Sequence, residues 1–163
     1  IPLSADLDSP GEISDRLGKD KADRRDEAAK NAAKTEPHTQ AYASSGACVN
    51  CHSGEFARWA LTGHAQAWLA LVERQETENP ECIGCHTTAY GEPGGLGELT
   101  RSNIRKFKGV QCEMCHGPLA GHPSDPDVSA RPVQESDCIV CHDEANSPKF
   151  DFEQYLAQAS CQR

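Results

Sequence analysis

Side chains suited to a conventional core are scarce in this sequence of 163 residues: 6% are aromatic, 37% are hydrophobic, and the mean hydropathy is −0.66. A chain of this length normally buries a sizeable apolar interior, so something other than side chains has to fill it. No run of about 18 apolar residues occurs anywhere, which excludes a transmembrane helix. Positive charge is also in short supply. Lys and Arg number 16 against 25 Asp and Glu, giving a net charge of −9 and a pI near 5.2. That balance excludes an electrostatic grip on nucleic acid or on an anionic membrane, and it favours a cationic partner. Neither a basic-then-apolar leader nor a lipid-attachment cysteine stands near Ile1. The expectation is therefore a mature, exported protein, periplasmic or extracellular, with its export signal already removed. No stretch alternates convincingly as a strand.

One compact unit is expected at this length, preceded by an arm. Residues 1–47 contain no cysteine and are dominated by charge, as in Asp15-Arg16-Leu17-Gly18-Lys19-Asp20-Lys21. Their Ala, Lys, Arg and Glu content favours helix, yet no apolar stripe recurs, so they read as an exposed helix or a solvated arm, or as a segment that wraps a neighbouring molecule. Residues 48–163 form the expected domain, mainly α-helical and loop-rich. Its clearest helix is expected from about Ser53 to Val72, with Phe56, Ala60, His64, Ala67, Trp68 and Leu71 on one face. A short final helix is expected near Phe152–Ala159. Gly91-Glu92-Pro93-Gly94-Gly95 and His122-Pro123-Ser124-Asp125-Pro126 read as turn-rich loops.

What the sequence has in excess is cysteine followed by histidine. Four Cys-x-x-Cys-His motifs begin at residues 48, 82, 112 and 138, at intervals of 34, 30 and 26. Random scatter of the nine cysteines and seven histidines gives about 0.02 such motifs. The pattern is the attachment signal of a c-type haem: two thiols form thioethers to the vinyl groups and the adjacent imidazole is the proximal iron ligand. It predicts four c-type haems, held covalently by Cys48, Cys51, Cys82, Cys85, Cys112, Cys115, Cys138 and Cys141, with His52, His86, His116 and His142 on the irons. Zinc ribbons would use the Cys pairs but give no reason for a histidine after each one. A disulfide framework leaves the histidines unexplained too, and a thioredoxin-like use lacks the alternation of strands and helices. Only the motif recurs, so there is no structural repeat.

Four motifs consume eight cysteines and leave Cys161, which reads as a free thiol, an intermolecular disulfide or a sulfur ligand. They also leave three histidines, His38, His64 and His122, as candidates for the distal faces. At most three haems can then be bis-histidine from within this chain. The fourth iron is five-coordinate, binds water, uses an uncommon ligand such as Met114, Cys161 or a lysine, or receives a histidine from another subunit.

The stretch from about Cys48 to Phe152 resembles the cytochrome c554 family of tetrahaem periplasmic electron carriers. The resemblance is carried by Cys48-Val49-Asn50-Cys51-His52 with Trp59-Ala60-Leu61-Thr62-Gly63-His64-Ala65-Gln66-Ala67, by Cys82-Ile83-Gly84-Cys85-His86 with Tyr90-Gly91 and Gly94-Gly95, by Gly109-Val110-Gln111-Cys112-Glu113-Met114-Cys115-His116-Gly117-Pro118, and by the fourth motif at Cys138. It implies a mainly helical fold around closely packed haem pairs, with the second haem five-coordinate and the others bis-histidine. It further implies His122 as the distal ligand of the first haem and His64 as that of the third. The family's remaining distal histidine comes from a C-terminal segment without a counterpart here, for which His38 is the natural substitute, in the same chain or in a neighbouring copy.

The function expected from these features is electron transfer without a general acid or base, so a carrier rather than an enzyme. Trp59, Trp68, Tyr90 and Phe107 are expected to pack the interior rather than relay electrons. An acidic face is expected to steer a redox partner with a basic docking face. The alternatives are a subunit of an extracellular cytochrome filament or larger redox complex, joined through residues 1–47, and a reductase of a small nitrogen or sulfur oxide at an open haem.

Overall fold

The computed structural model describes residues 42–159, together with Lys19 and Asp23. Most of the 1–47 arm, along with His38 and Cys161, lies outside the described residues.

Eight short helices follow one another between residues 42 and 159: α1 (Ser45–Cys48), α2 (Ser53–Trp59), α3 (Ala67–Arg74), α4 (Pro80–His86), α5 (Arg101–Phe107), α6 (Cys112–His116), α7 (Glu135–Ile139) and α8 (Phe152–Ala159). The longest have eight residues, far below the length at which a helix persists alone in water, so each depends on its caps and its contacts. Asn79 caps α4 by accepting from the Glu81 N–H at 3.1 Å, with Pro80 at the first helical position. Thr100 caps α5 by accepting from the Asn103 N–H at 3.2 Å. Among the described residues β-structure is limited to two isolated bridges, Thr87 with Lys108 and Tyr90 with Leu96. The mainly helical, loop-rich expectation holds for this region, and the last helix falls where the apolar spacing placed it.

The single helix expected over 53–72 is two helices, α2 and α3, separated at residues 60–66. The Thr62 hydroxyl donates to the Trp59 carbonyl at 2.7 Å and accepts from the Ala65 N–H at 3.4 Å, a local alternative to the helical ladder. Gly63 follows, and the His64 carbonyl accepts from the Val110 N–H at 2.9 Å, across the fold. Leu61 at the break is 84% exposed, so no apolar contact holds the turn helical.

α3 packs on α4, and their contact is the apolar centre: Leu71, Ile83, Leu96 and Phe107 are buried together, with Tyr42, Trp68, Tyr90 and Leu99 packed around them. Beside this small core runs a buried polar strip. The Thr87 hydroxyl donates to the Ile83 carbonyl, and the Thr88 hydroxyl donates to the Gly109 carbonyl, each at 2.8 Å. The Thr88 hydroxyl also accepts from the Gln111 N–H at 3.0 Å. Residues 109 and 110 are a crossing point, because the Gly109 N–H donates to the His86 carbonyl while the next N–H reaches His64. Gly109 has φ +78°, and a Cβ there would stand 2.8 Å from the Ala65 carbonyl oxygen.

Gly109→Ala therefore meets both left-handed strain and a clash with backbone, and it is expected to lower stability by about 2–3 kcal/mol. Chemical denaturation of the two proteins checks this, with an unchanged midpoint as the contrary result.

Candidate functional site

Each Cys-x-x-Cys-His motif lies on a helical turn, which puts residues three apart on the same side. Cys48 closes α1, with Cys51 and His52 on the turn after it. Cys82–His86 ends α4, and Cys112–His116 is α6 itself. Cys138 lies in α7, followed by Cys141 and His142. The His52 and His142 N–H groups return to the Cys48 and Cys138 carbonyls at 2.9 Å, so the first and fourth motifs close the same local turn. None of the eight motif cysteines is in a disulfide.

The motifs meet in two pairs. The Cys48 thiol lies beside that of Cys112, which brings the first motif to the third. The Cys141 thiol lies beside that of Cys85, which brings the fourth to the second. Burial pushes the Cys141 thiol up to about 12, and the Cys85 sulfur adds to the shift. Burial also raises the Cys48 thiol, opposed by its bond with Cys112 and reinforced by the charge of Glu113.

The first and third motifs are tied by two side chains for which the sequence reading had no role. Glu113, inside the third motif, is 2% exposed and accepts three backbone N–H groups: Ala43 at 2.8 Å, Ser44 at 2.7 Å and Leu119 at 2.8 Å. Gln111 accepts from the Ser45 N–H at 2.7 Å and donates to the Lys106 and Lys108 carbonyls at 2.8 and 3.1 Å. The chain entering α1 is thus pinned to α6. The available signal was a carboxylate at one of the two variable positions of the motif, where nothing in the attachment chemistry calls for charge.

Backbone and hydroxyl oxygens fix the imidazoles through Nδ1. His86 Nδ1 lies 2.6 Å from the Ala67 carbonyl, His116 Nδ1 3.0 Å from the Arg131 carbonyl, and His142 Nδ1 2.8 Å from the Ser147 hydroxyl. His122 Nδ1 lies 3.2 Å from the Val128 carbonyl. A proton held on Nδ1 by an oxygen leaves Nε2 with its lone pair, which is the arrangement of a metal-ligating histidine. His116 is gripped twice, since the Arg131 N–H donates to its carbonyl at 3.1 Å. Arg131 is itself held by Asp137 in α7 through a two-pronged ion pair at 2.6 and 2.7 Å. His142 stacks on Phe150, with ring centres 5.4 Å apart, and meets Tyr155 of α8 edge-on at 5.2 Å.

Two further imidazoles stand against motif histidines. The His52 and His122 ring centres are 6.4 Å apart, and those of His64 and His142 are 5.9 Å apart. The structure thus sets His64 beside His142 of the fourth motif, where the resemblance had suggested the third, and sets His122 beside His52 of the first. The sequence could not supply the former, because it depends on the break before α3 and on the Val110 bond that positions residue 64. Burial, then the charge of His142, holds the His64 imidazole below its usual range and hence neutral. Met114 is turned elsewhere, its sulfur accepting the Ala89 N–H at 3.2 Å.

These donors fit covalently held haem. A metal bonded at about 2.0 Å to two opposed imidazole nitrogens places the ring centres about 6 Å apart, close to both separations found here. Among the described residues no three His, Cys, Asp or Glu side chains gather into a metal-holding cluster, so the thiols do not converge as in a zinc ribbon.

Residues 47–117 match the family model described as cytochrome c554 and c-prime. The cytochrome c-554 of Nitrosomonas europaea is 29% identical over 104 residues, covering 55% of this chain and 43% of that protein. The chain thus spans under half the length of this curated relative. The homology is at family level, at low identity and over part of the chain. No solved structure matches the chain.

Two substitutions test how the motifs are held. Glu113→Ala leaves one buried and two part-buried N–H groups without an acceptor and is expected to cost about 2–3 kcal/mol, with Glu113→Gln recovering part of it; thermal unfolding of the three proteins reads the order. Asp137 is held below the usual carboxylate value of 3.8, mainly by its bond with Arg131. A depressed folded pKa adds stability above the unfolded value that is lost as pH falls through the folded one. For a pair this exposed the contribution is at most about 1 kcal/mol. Wild type should therefore melt above Asp137→Asn at pH 7, with the gap closing below about pH 4. A gap independent of pH would assign the ion pair no such role.

Proposed function

We propose that this chain is a tetrahaem c-type electron-transfer protein of the cytochrome c554 kind. The observation that carries the reading is the pair of imidazole separations, 6.4 Å for His52 with His122 and 5.9 Å for His64 with His142, each joining a motif histidine to one from elsewhere in the chain. Cys48, Cys51, Cys82, Cys85, Cys112, Cys115, Cys138 and Cys141 would hold four haems as thioethers, with His52, His86, His116 and His142 as proximal ligands. Bound there, the haems would supply reversible one-electron exchange at iron. The first and fourth would take His122 and His64 as their second imidazole. The thiol contacts between Cys48 and Cys112 and between Cys85 and Cys141 support two close haem pairs, first with third and second with fourth.

His86 and His116 are the two motif histidines without a second imidazole opposite them among the described residues, because His122 and His64 stand elsewhere. His38 is the one histidine left, and it can serve only one of the two irons. Residues 1–163 thus supply a histidine pair to three irons at most. The protein's part is to fix spacing, ligands and surroundings, and its acidic surface would steer a partner with a basic docking face. No helix among the described residues is long and apolar enough to cross a membrane. That fits the exported, periplasmic or extracellular carrier we propose.

The mature protein is expected to have the mass of the polypeptide plus four haems, and its oxidised EPR spectrum should contain low-spin ferric signals from the two histidine-paired irons. His64→Ala and His122→Ala should each remove one low-spin signal while keeping four haems attached. A mass equal to the bare chain, or variants whose low-spin signals are all retained, would contradict the assignment.

A further inference from the structure

α5 carries a charge opposite to the rest of the chain. Four of the eight Lys and Arg residues between 42 and 159 fall within 101–108, and no Asp or Glu occurs between Glu98 and Glu113. Arg101, Arg105, Lys106 and Lys108 are all exposed, in a protein of net charge −9. Elsewhere two of the described cations sit in ion pairs, Arg58 with Glu55 at 3.4 Å and Arg131 with Asp137 at 2.6 Å. The Lys106 ammonium lies over the face of the buried Phe107 ring, 4.7 Å from its centre, a cation–π contact that leaves its charge unpaired by any acid in the patch. The nearest acid in sequence beyond the helix, Glu113, is buried and already accepts three N–H groups.

The patch also rims a cleft. Arg105, Lys106 and Lys108 line one side of an open depression of about 340 Å³, while Ser45, Trp59 and Gln111 line its other walls. Ser45 is three residues from Cys48, and Gln111 adjoins Cys112. The cleft thus lies at the back of the first and third attachment motifs, the two tied together by Glu113 and Gln111.

We propose that this cleft is a second docking surface, for a redox protein that presents carboxylates, and that electrons pass there to or from the first and third motifs. The inference rests on the electron-transfer reading. A carrier exchanges electrons with a donor and an acceptor, and surfaces of opposite sign let it meet the two at separate places: a cationic partner on the acidic body, an anionic one on α5. Local charge governs encounter when the contact is smaller than the molecule and salt screens the remainder within about 10 Å.

The test uses the matured protein, reduced, with hexacyanoferrate(III) as the anionic probe. One electron leaves a ferrous haem, which becomes ferric, and hexacyanoferrate(III) becomes hexacyanoferrate(II), with no proton or bond exchanged. If α5 is the contact, the stopped-flow rate falls as salt is raised, against the sign that a net charge of −9 dictates. Replacing Arg101, Arg105, Lys106 and Lys108 together by Glu should lower the low-salt rate about tenfold or more and make it rise with salt. Oxidation by cationic hexaammineruthenium(III) should not slow. Should that variant fail to mature, Lys106→Gln with Lys108→Gln is expected to lower the hexacyanoferrate rate about threefold. A wild-type rate that rises with salt, or a charge-swapped variant as fast as wild type, overturns the docking inference while leaving the haem assignment intact. A protein without covalent haem overturns both. Self-association at low salt that the four substitutions abolish would give the surface to a second copy of the chain and overturn the partner proposed here.

Discussion

A single buried carboxylate decides where the first and third motifs stand relative to each other. Glu113 has its charge almost entirely removed from water, and three backbone N–H groups replace the water it has lost. Hydrogen bonds to a charged acceptor are worth about 1.5–3 kcal/mol each, more than a neutral pair provides. Their direction matters as much as their strength. Two come from the segment entering α1 and one from the segment leaving α6, so the carboxylate closes two loops onto one point. Gln111, two residues earlier, repeats the connection at Ser45 and extends it to the end of α5. An apolar side chain of similar size could fill the space but could not specify which backbone meets it.

This reliance on polar ties follows from how little apolar material the chain has. The buried apolar cluster consists of Leu71, Ile83, Leu96 and Phe107, at the junction of α3 and α4. It fixes the second motif, since Ile83 lies between Cys82 and Cys85, but it does not extend to α7 or α8. There the structure depends on the Arg131 backbone that grips His116, the Asp137 carboxylate that holds Arg131, and the aromatic cage of Phe150 and Tyr155 around His142. Every one of these contacts ends on a motif histidine or on the residue that holds one. A porphyrin seated at each motif would add the apolar surface that the side chains do not supply, which is the physical sense of a composition with so few aromatics.

The four Cys-x-x-Cys-His motifs are legible as a sequence pattern because their spacing is local, and each lies on a helical turn that delivers this spacing; that they carry haem is our proposal. The final helix was legible for a similar reason: Phe152, Tyr155, Leu156 and Ala159 repeat with helical period on one face. The helix over 53–72 misled because its apolar positions continue in phase through Thr62 and Gly63, so periodicity alone could not register that the hydroxyl and the distant Val110 N–H would capture the backbone. The same break moves His64 to the fourth motif. Glu113 and Gln111 carry part of the resemblance, but their partners at the start of α1, Ala43, Ser44 and Ser45, lie 66 to 70 residues away, and no local pattern encodes a contact at that range.

The assignment of histidines makes the motifs interdependent. His64 lies between the first and second motifs in sequence yet faces the fourth, and His122 lies between the third and fourth yet faces the first. Each closes a loop of roughly 70 residues, so an iron held by two such imidazoles would oppose opening over most of the chain, as any ligand that binds only the folded form does. On the proposed haem reading, folding and cofactor attachment would be coupled in both directions. The thiols could be modified on flexible chain because each motif is local, but the second imidazole would reach the metal only when the distant segments had docked. The second and third motifs lack such a partner among the described residues, and there the backbone itself holds the imidazoles, His86 through the Ala67 carbonyl and His116 through the two Arg131 contacts.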